Sequence, residues 1–144
     1  MKKILVVDDD LEQRDLYVEL FRSNGFEVIP AADGLDAWQK ISPADRPDLV
    51  FTGIDMPRMD GFELIKNLKN NPATALTPVI IFSHLGRDED REKAGKLMET
   101  YFMVKGYDGP NDILAKVKEL LDDKPHGPLS VKPDEDDRPG VTTI

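Results

Sequence analysis

Four places in this chain set oxygen- or nitrogen-bearing side chains directly behind a short apolar run. Asp8-Asp9-Asp10 follows Ile4–Val7, Gly53 and Asp55 follow Leu49–Thr52, Ser83 and His84 follow Val79–Phe82, and Lys105 follows Tyr101–Val104. Brought together, they would give a small polar pocket of carboxylates, a hydroxyl and an ammonium. Two carboxylates about 5 Å apart repel by about 3 kcal/mol at an effective dielectric of about 20. A cation must therefore fill the gap between them. Either Lys105 or a hard metal such as magnesium suits oxygen ligands.

The elements that must position these residues follow from the apolar pattern. Ile4–Val7 reads as a buried strand, as do Phe26–Ile29, Leu49–Thr52, Val79–Phe82 and Tyr101–Val104. Between them lie stretches with helical spacing. Leu16, Tyr17, Leu20 and Phe21 stripe residues 10–24, which close at Asn24-Gly25. Ala37, Trp38 and Ile41 mark a second helix, and Phe62, Ile65 and Leu68 a third. A highly charged helix is expected at roughly 88–98, and a last one at about 110–122 carries Ile113, Leu114, Val117, Leu120 and Leu121 on one face. Strands alternating with helices predict an α/β protein with a parallel sheet covered on both faces. Right-handed crossovers favour a doubly wound arrangement, in which sites gather beyond the carboxyl ends of the strands.

Ile4-Leu-Val-Val-Asp-Asp-Asp10, the segment Asp55-Met-Pro-Arg-Met-Asp-Gly61, Ser83 and Lys105, taken in order, resemble the receiver domain of two-component response regulators over residues 1–122. The resemblance implies a five-stranded, flavodoxin-like sheet of order 2-1-3-4-5. It also implies that Asp8 and Asp9 are the acidic pair, with Asp9 a direct magnesium ligand, and that Asp55 offers its backbone carbonyl to the metal. Ser83 then senses a phosphoryl group and Lys105 pairs with it.

Three departures from the pattern bear on function. The phosphate-accepting aspartate belongs four residues before Pro57, and that residue is Gly53. Lys105 is followed by Gly106 where the family usually has proline with a cis bond. A non-proline cis bond costs about 2.5–4 kcal/mol, so a trans bond is expected. Phe102 stands at the switch aromatic, often tyrosine, and brings no hydroxyl. Together these favour a pseudo-receiver that signals without phosphate, with no active catalytic residue and magnesium bound weakly or not at all. The alternative is an ordinary phosphorylatable receiver carrying an Asp→Gly change at position 53.

A remoter alternative is a phosphatase of the haloacid-dehalogenase type, since Asp8-Asp9-Asp10 contains Asp-x-Asp behind the first strand. Leu11 is wrong for that signature. His84 reads as an exposed loop histidine, and Trp38, Met56 and Met59 as packing residues. The resemblance makes the surface of the fourth helix, fifth strand and fifth helix the expected meeting place with a histidine kinase, an output protein or a second copy. Met98, Tyr101, Lys105 and Tyr107 lie near it.

Composition narrows the setting. A net charge of −9 repels phosphate backbones and argues against direct nucleic-acid binding. Cysteine is absent, which excludes thiolate chemistry and fits a reducing, cytoplasmic setting. No run approaches the ~20 apolar residues that span a bilayer. Beyond residue 122 the chain gathers four prolines and the acidic run Asp134–Asp137, and residues 123–144 read as a tail or linker. Its Thr142-Thr143-Ile144 matches a short pattern captured elsewhere by strand addition, a match common by chance.

Overall fold

The computed structural model describes residues 1–84, 88–122 and 142–143. In chain order its elements are β1 (Lys3–Val7), α1 (Leu11–Ser23), β2 (Glu27–Ala31), α2 (Gly34–Lys40), β3 (Leu49–Thr52), α3 (Gly61–Lys69), β4 (Val79–His84), α4 (Asp88–Gly95), β5 (Thr100–Lys105), α5 (Pro110–Leu120) and β6 (Thr142–Thr143). Strands β1 to β5 pair in parallel in the order β2-β1-β3-β4-β5. That is the expected five-stranded order. β6 then adds an antiparallel strand on the outer side of β5. Most of the tail expected at residues 123–144 lies outside the described residues, and Thr142–Thr143 are the part that returns to the sheet.

Alternate strand residues feed two cores, one on each face. Ile4, Val6, Leu49, Phe51, Ile80, Phe82, Tyr101 and Met103 face α1 and α5 and meet Tyr17, Phe21, Ile113 and Val117. Four rings mesh there: Tyr17 lies 4.9 Å from Phe51 and 5.4 Å from Phe82, Phe51 and Phe82 stack at 5.3 Å, and Phe21 meets Phe51 edge-on at 5.6 Å. Leu5, Val7, Val50, Val79, Ile81, Phe102 and Val104 face the other way, onto Ala37, Leu64, Ile65, Leu68 and Ala94. Trp38, Met56 and Met59 pack against this second core. Because both faces are covered, the strands are apolar at successive positions rather than alternately.

Three helices begin on aspartates that satisfy otherwise unpaired backbone N–H groups. Asp10 accepts from Glu12 N at 3.0 Å to start α1, and Asp33 from Asp36 N at 2.9 Å to start α2. Asp60 starts α3 reciprocally: its carboxylate accepts from Glu63 N, and the Glu63 carboxylate accepts from Asp60 N. Two members of the acidic motifs, Asp10 and Asp60, are thus helix caps.

Several strands run longer than their apolar cores. Pairing of Ser83 with Val104 and of His84 with Lys105 carries β4 through both polar residues, so His84 is an exposed strand end and not part of a loop. β2 likewise runs on through Pro30 to Ala31. α4 ends at Gly95, short of the expected 98. Among the described residues no helix is long and apolar enough to cross a membrane.

Candidate functional site

The carboxyl ends of β1, β3, β4 and β5 meet at one end of the sheet. The sheet order reverses between β1 and β3, where a doubly wound fold opens a crevice. Asp8 stands at the end of β1 and is only 6% exposed. Its Oδ1 accepts from Asp10 N at 2.9 Å, and its Oδ2 lies 3.8 Å from Lys105 Nζ. Burial raises its pKa above the ordinary carboxylate value, against the lowering effects of the Asp10 N–H and the Lys105 ammonium. Asp9 and Asp55 are exposed, and Ser83 is half-buried. Lys105 reaches over the Phe82 ring, 5.7 Å from its centroid.

Gly53 sits between Asp8 and the β3–α3 loop. It is buried, and its N–H donates to Val7 O at 3.1 Å. A Cβ built on it meets no atom within 4 Å, so the first atom of a side chain has room there. Gly61 is the opposite case. Its Cα passes so close to Gly53 O that a Cβ would lie 2.1 Å from that oxygen, and its N–H donates to Ile54 O at 2.8 Å. The Met-Asp-Gly turn is folded against the Gly53 carbonyl, and only glycine permits that approach.

The loop after β5 departs from a Lys-Pro geometry. No peptide bond among the described residues is cis, and Gly106 has φ +86°. Proline is locked near −65° and cannot take that conformation. Asp108, 3% exposed, holds the loop, its Oδ2 accepting from Val104 N at 2.8 Å. Phe102, expected at the switch, is 1% exposed and packed in the second core. Tyr101, expected near a partner surface, is buried too: Lys116 Nζ lies 4.8 Å from its ring centroid and its hydroxyl donates to Glu99. Tyr107 and Met98 are exposed. Lys105 and Tyr107 line a groove of about 350 Å³ whose other wall includes Gln13, Leu16 and Tyr17 of α1.

Sequence reasoning missed one pair that fixes the loop carrying Asp55. Arg58 grips Asp33 with two hydrogen bonds, Nε to Oδ2 at 2.8 Å and Nη2 to Oδ1 at 3.2 Å, while Gly34 N donates to Met59 O. The Arg58 guanidinium, with help from the Asp36 N–H, holds the buried Asp33 carboxyl below the usual range. Arg58 takes φ +67° to do this, which no local pattern announces.

The arrangement is a doubly wound α/β protein with an acidic, lysine-containing site at its topological switch point. The chain belongs to the response-regulator receiver family: the profile of the response regulator receiver domain matches residues 4–118. It is 33% identical over 116 residues to protein PilG of Pseudomonas aeruginosa, covering 81% of this chain and 84% of that one. It is 35% identical over 119 residues to the gliding motility regulatory protein of Myxococcus xanthus, covering 83% of this chain but only 15% of that much longer protein. Among solved structures, chemotaxis protein CheY4 of Vibrio cholerae superposes with a TM-score of 0.75 at 27% identity, over 84% of this chain and 99% of that one. Receiver domains are signalling modules of two-component systems rather than classical enzymes.

Receiver domains commonly bind magnesium at this position. The residues here fit the ion incompletely. Of the expected ligands Asp8 is buried behind β1 and Asp9 and Asp55 are exposed, while Gly53 has no side-chain oxygen. Among the described residues no three His, Cys, Asp or Glu side chains converge as a metal cluster.

Proposed function

We propose that this receiver domain acts as a phosphorylation-independent protein-interaction module. The observation that carries the reading is Gly53: the residue behind β3, hydrogen-bonded to Val7 next to Asp8, has no side-chain oxygen to accept a phosphoryl group. Asp55, two residues on, is exposed at the rim and offers a poor substitute. Lys105 Nζ lies 3.8 Å from Asp8 Oδ2, which supports its pairing directly with the acidic residues. Magnesium then binds weakly, through Asp8, Asp9 and the Asp55 carbonyl. Partners are proteins, a histidine kinase or an output protein, and a homodimer is compatible; the exposed Tyr107 and Met98 mark accessible parts of the surface. The setting is cytoplasmic, and residues 123–144 form a tail or linker appended to the receiver at 1–122. Incubation with acetyl phosphate and magnesium, followed by intact mass, tests the reading. No adduct is expected, and a stoichiometric adduct abolished by Asp55→Asn would overturn it.

One observation favours a second reading, an ordinary receiver with an Asp→Gly change. A Cβ at Gly53 would meet no atom within 4 Å, so the backbone there tolerates the start of a side chain. Under this reading Gly53→Asp takes up phosphate and passes the change on to a partner. Under the first, Phe102 and Gly106 leave the transmission broken even when phosphate is taken up.

A further inference from the structure

The two edges of the five-stranded parallel sheet are protected in different ways. On one side β2, Glu27–Ala31, carries Pro30, which has no N–H to offer a further strand, and an exposed Glu27. A proline and a charge are among the devices that blunt an edge. On the other side β5 reads Thr-Tyr-Phe-Met-Val-Lys from Thr100 to Lys105, buried at its first five positions. It has no proline, no glycine and no charge before its last residue. Such a strand is rich in β-formers, and up to Phe102 its outer main-chain groups can serve as a template for another strand, whereas those of Val104 are already held by Tyr107 and Asp108. This is the edge that β6 covers. Tyr101 pairs with Thr143 and Phe102 with Thr142, antiparallel, and β6 also lies beside α4.

We propose that the outer edge of β5 is a strand-accepting surface and that the segment at Thr142–Thr143 is its resident occupant, an edge guard that keeps it from pairing with another chain. A two-residue strand makes few ladder bonds, so alone it is a weak ligand. It is nevertheless joined to the domain by the 19 residues 123–141, and that tether gives it an advantage over any strand arriving from solution. When the guard leaves, the edge is open to the same strand type from a second copy. The inference rests on the edge chemistry and the pairing, and holds whether or not Gly53 disables phosphorylation.

The test uses the full chain with Thr142→Pro/Thr143→Pro, which removes both main-chain donors of β6 and touches no residue of the two cores. Amide hydrogen exchange is followed along β5 in both proteins, and association by sedimentation velocity over a range of concentrations. In the wild type the β5 amides facing away from β4 are expected to be protected and the protein monomeric. In the variant those amides should exchange at least about tenfold faster, and concentration-dependent self-association should appear. If the outward amides of the wild type already exchange as fast as in the variant, the segment does not occupy the edge. If they accelerate while the variant stays monomeric, the edge is covered but not guarded, and the proposal fails. The wild-type exchange pattern decides the first point even if the variant folds poorly.

Discussion

At the scale of single residues, the site trades stability for charge placement. Gly53→Asp puts a third carboxylate near Asp8 and Asp9, on a backbone where its Cβ meets no neighbour. Each nearby carboxylate adds about 3 kcal/mol of repulsion before Lys105 and solvent screen it. Without metal the variant should therefore melt below the wild type. With magnesium the order should reverse, because an ion bound only to the folded state stabilises it by mass action. Paired melting curves with and without magnesium check this, and a variant indifferent to magnesium would mean that the pocket has diverged beyond position 53. Asp8 gives a second prediction, with a pH sign. Its folded pKa is raised, so charging it opposes folding. That cost is absent below the unfolded value of about 3.9 and accrues as pH rises through the folded value. Asp8→Asn keeps an oxygen for the Asp10 N–H and should melt a few degrees higher at pH 7, with the gain disappearing by about pH 3.5. An equal gain at both pH values would assign the effect to packing instead.

At the scale of elements, the β3–α3 loop is held by the Arg58–Asp33 pair across the β2–α2 loop. Arg58 is about half exposed and Asp33 nearly buried. Arg58→Ala should then lower stability, by less than the loss of a fully buried partner would, because solvent screens the exposed guanidinium. Asp33 has a lowered folded pKa, so its contribution is complete above about pH 3.9 and is lost as pH falls through the folded value. Urea titrations at pH 7 and at about pH 2.5 should show the gap between wild type and variant closing in acid. The same loop shows where sequence reading succeeds and stops. The Met-Pro and Asp-Gly residues announced it, because proline and glycine carry their backbone preferences with them. The Arg58–Asp33 pair stayed hidden, because 25 residues separate its members and both also suit an exposed surface. Strand existence was legible in the apolar runs of β1, β3, β4 and β5. Strand ends were not: Ser83 and His84 belong to β4 through pairing with Val104 and Lys105, and no local polarity signals that partnership. The Lys105–Gly106 step was read as trans from the cost of a non-proline cis bond. The φ of +86° at Gly106 is a tertiary choice that only the folded loop displays. Gly106→Ala should cost about 1–2 kcal/mol for an L side chain in that region, and Gly106→Pro should be worse, measurable as loss of cooperative unfolding around Lys105.

At the scale of the whole molecule, stability resides in the two cores that sandwich β1 to β5, and the two threonines of β6 bring no large apolar residue. The residues from 123 onward contribute four prolines and an acidic run but few large apolar groups, so they have little to bury. A chain ending after Asp122 should therefore unfold in one cooperative transition, with a loss below about 2 kcal/mol and an almost unchanged denaturant slope, since that slope follows the surface exposed on unfolding. Urea melts at low protein concentration measure this, so that association through the uncovered β5 edge does not add to apparent stability. A larger loss, or a clear drop in slope, would mean that the segment leading to Thr142 packs on the domain and belongs to its folding unit. A small loss combined with association that grows with concentration would separate the two roles physically. The receiver fold would then stand on residues 1–122, while Thr142–Thr143 govern what its outer strand is free to pair with.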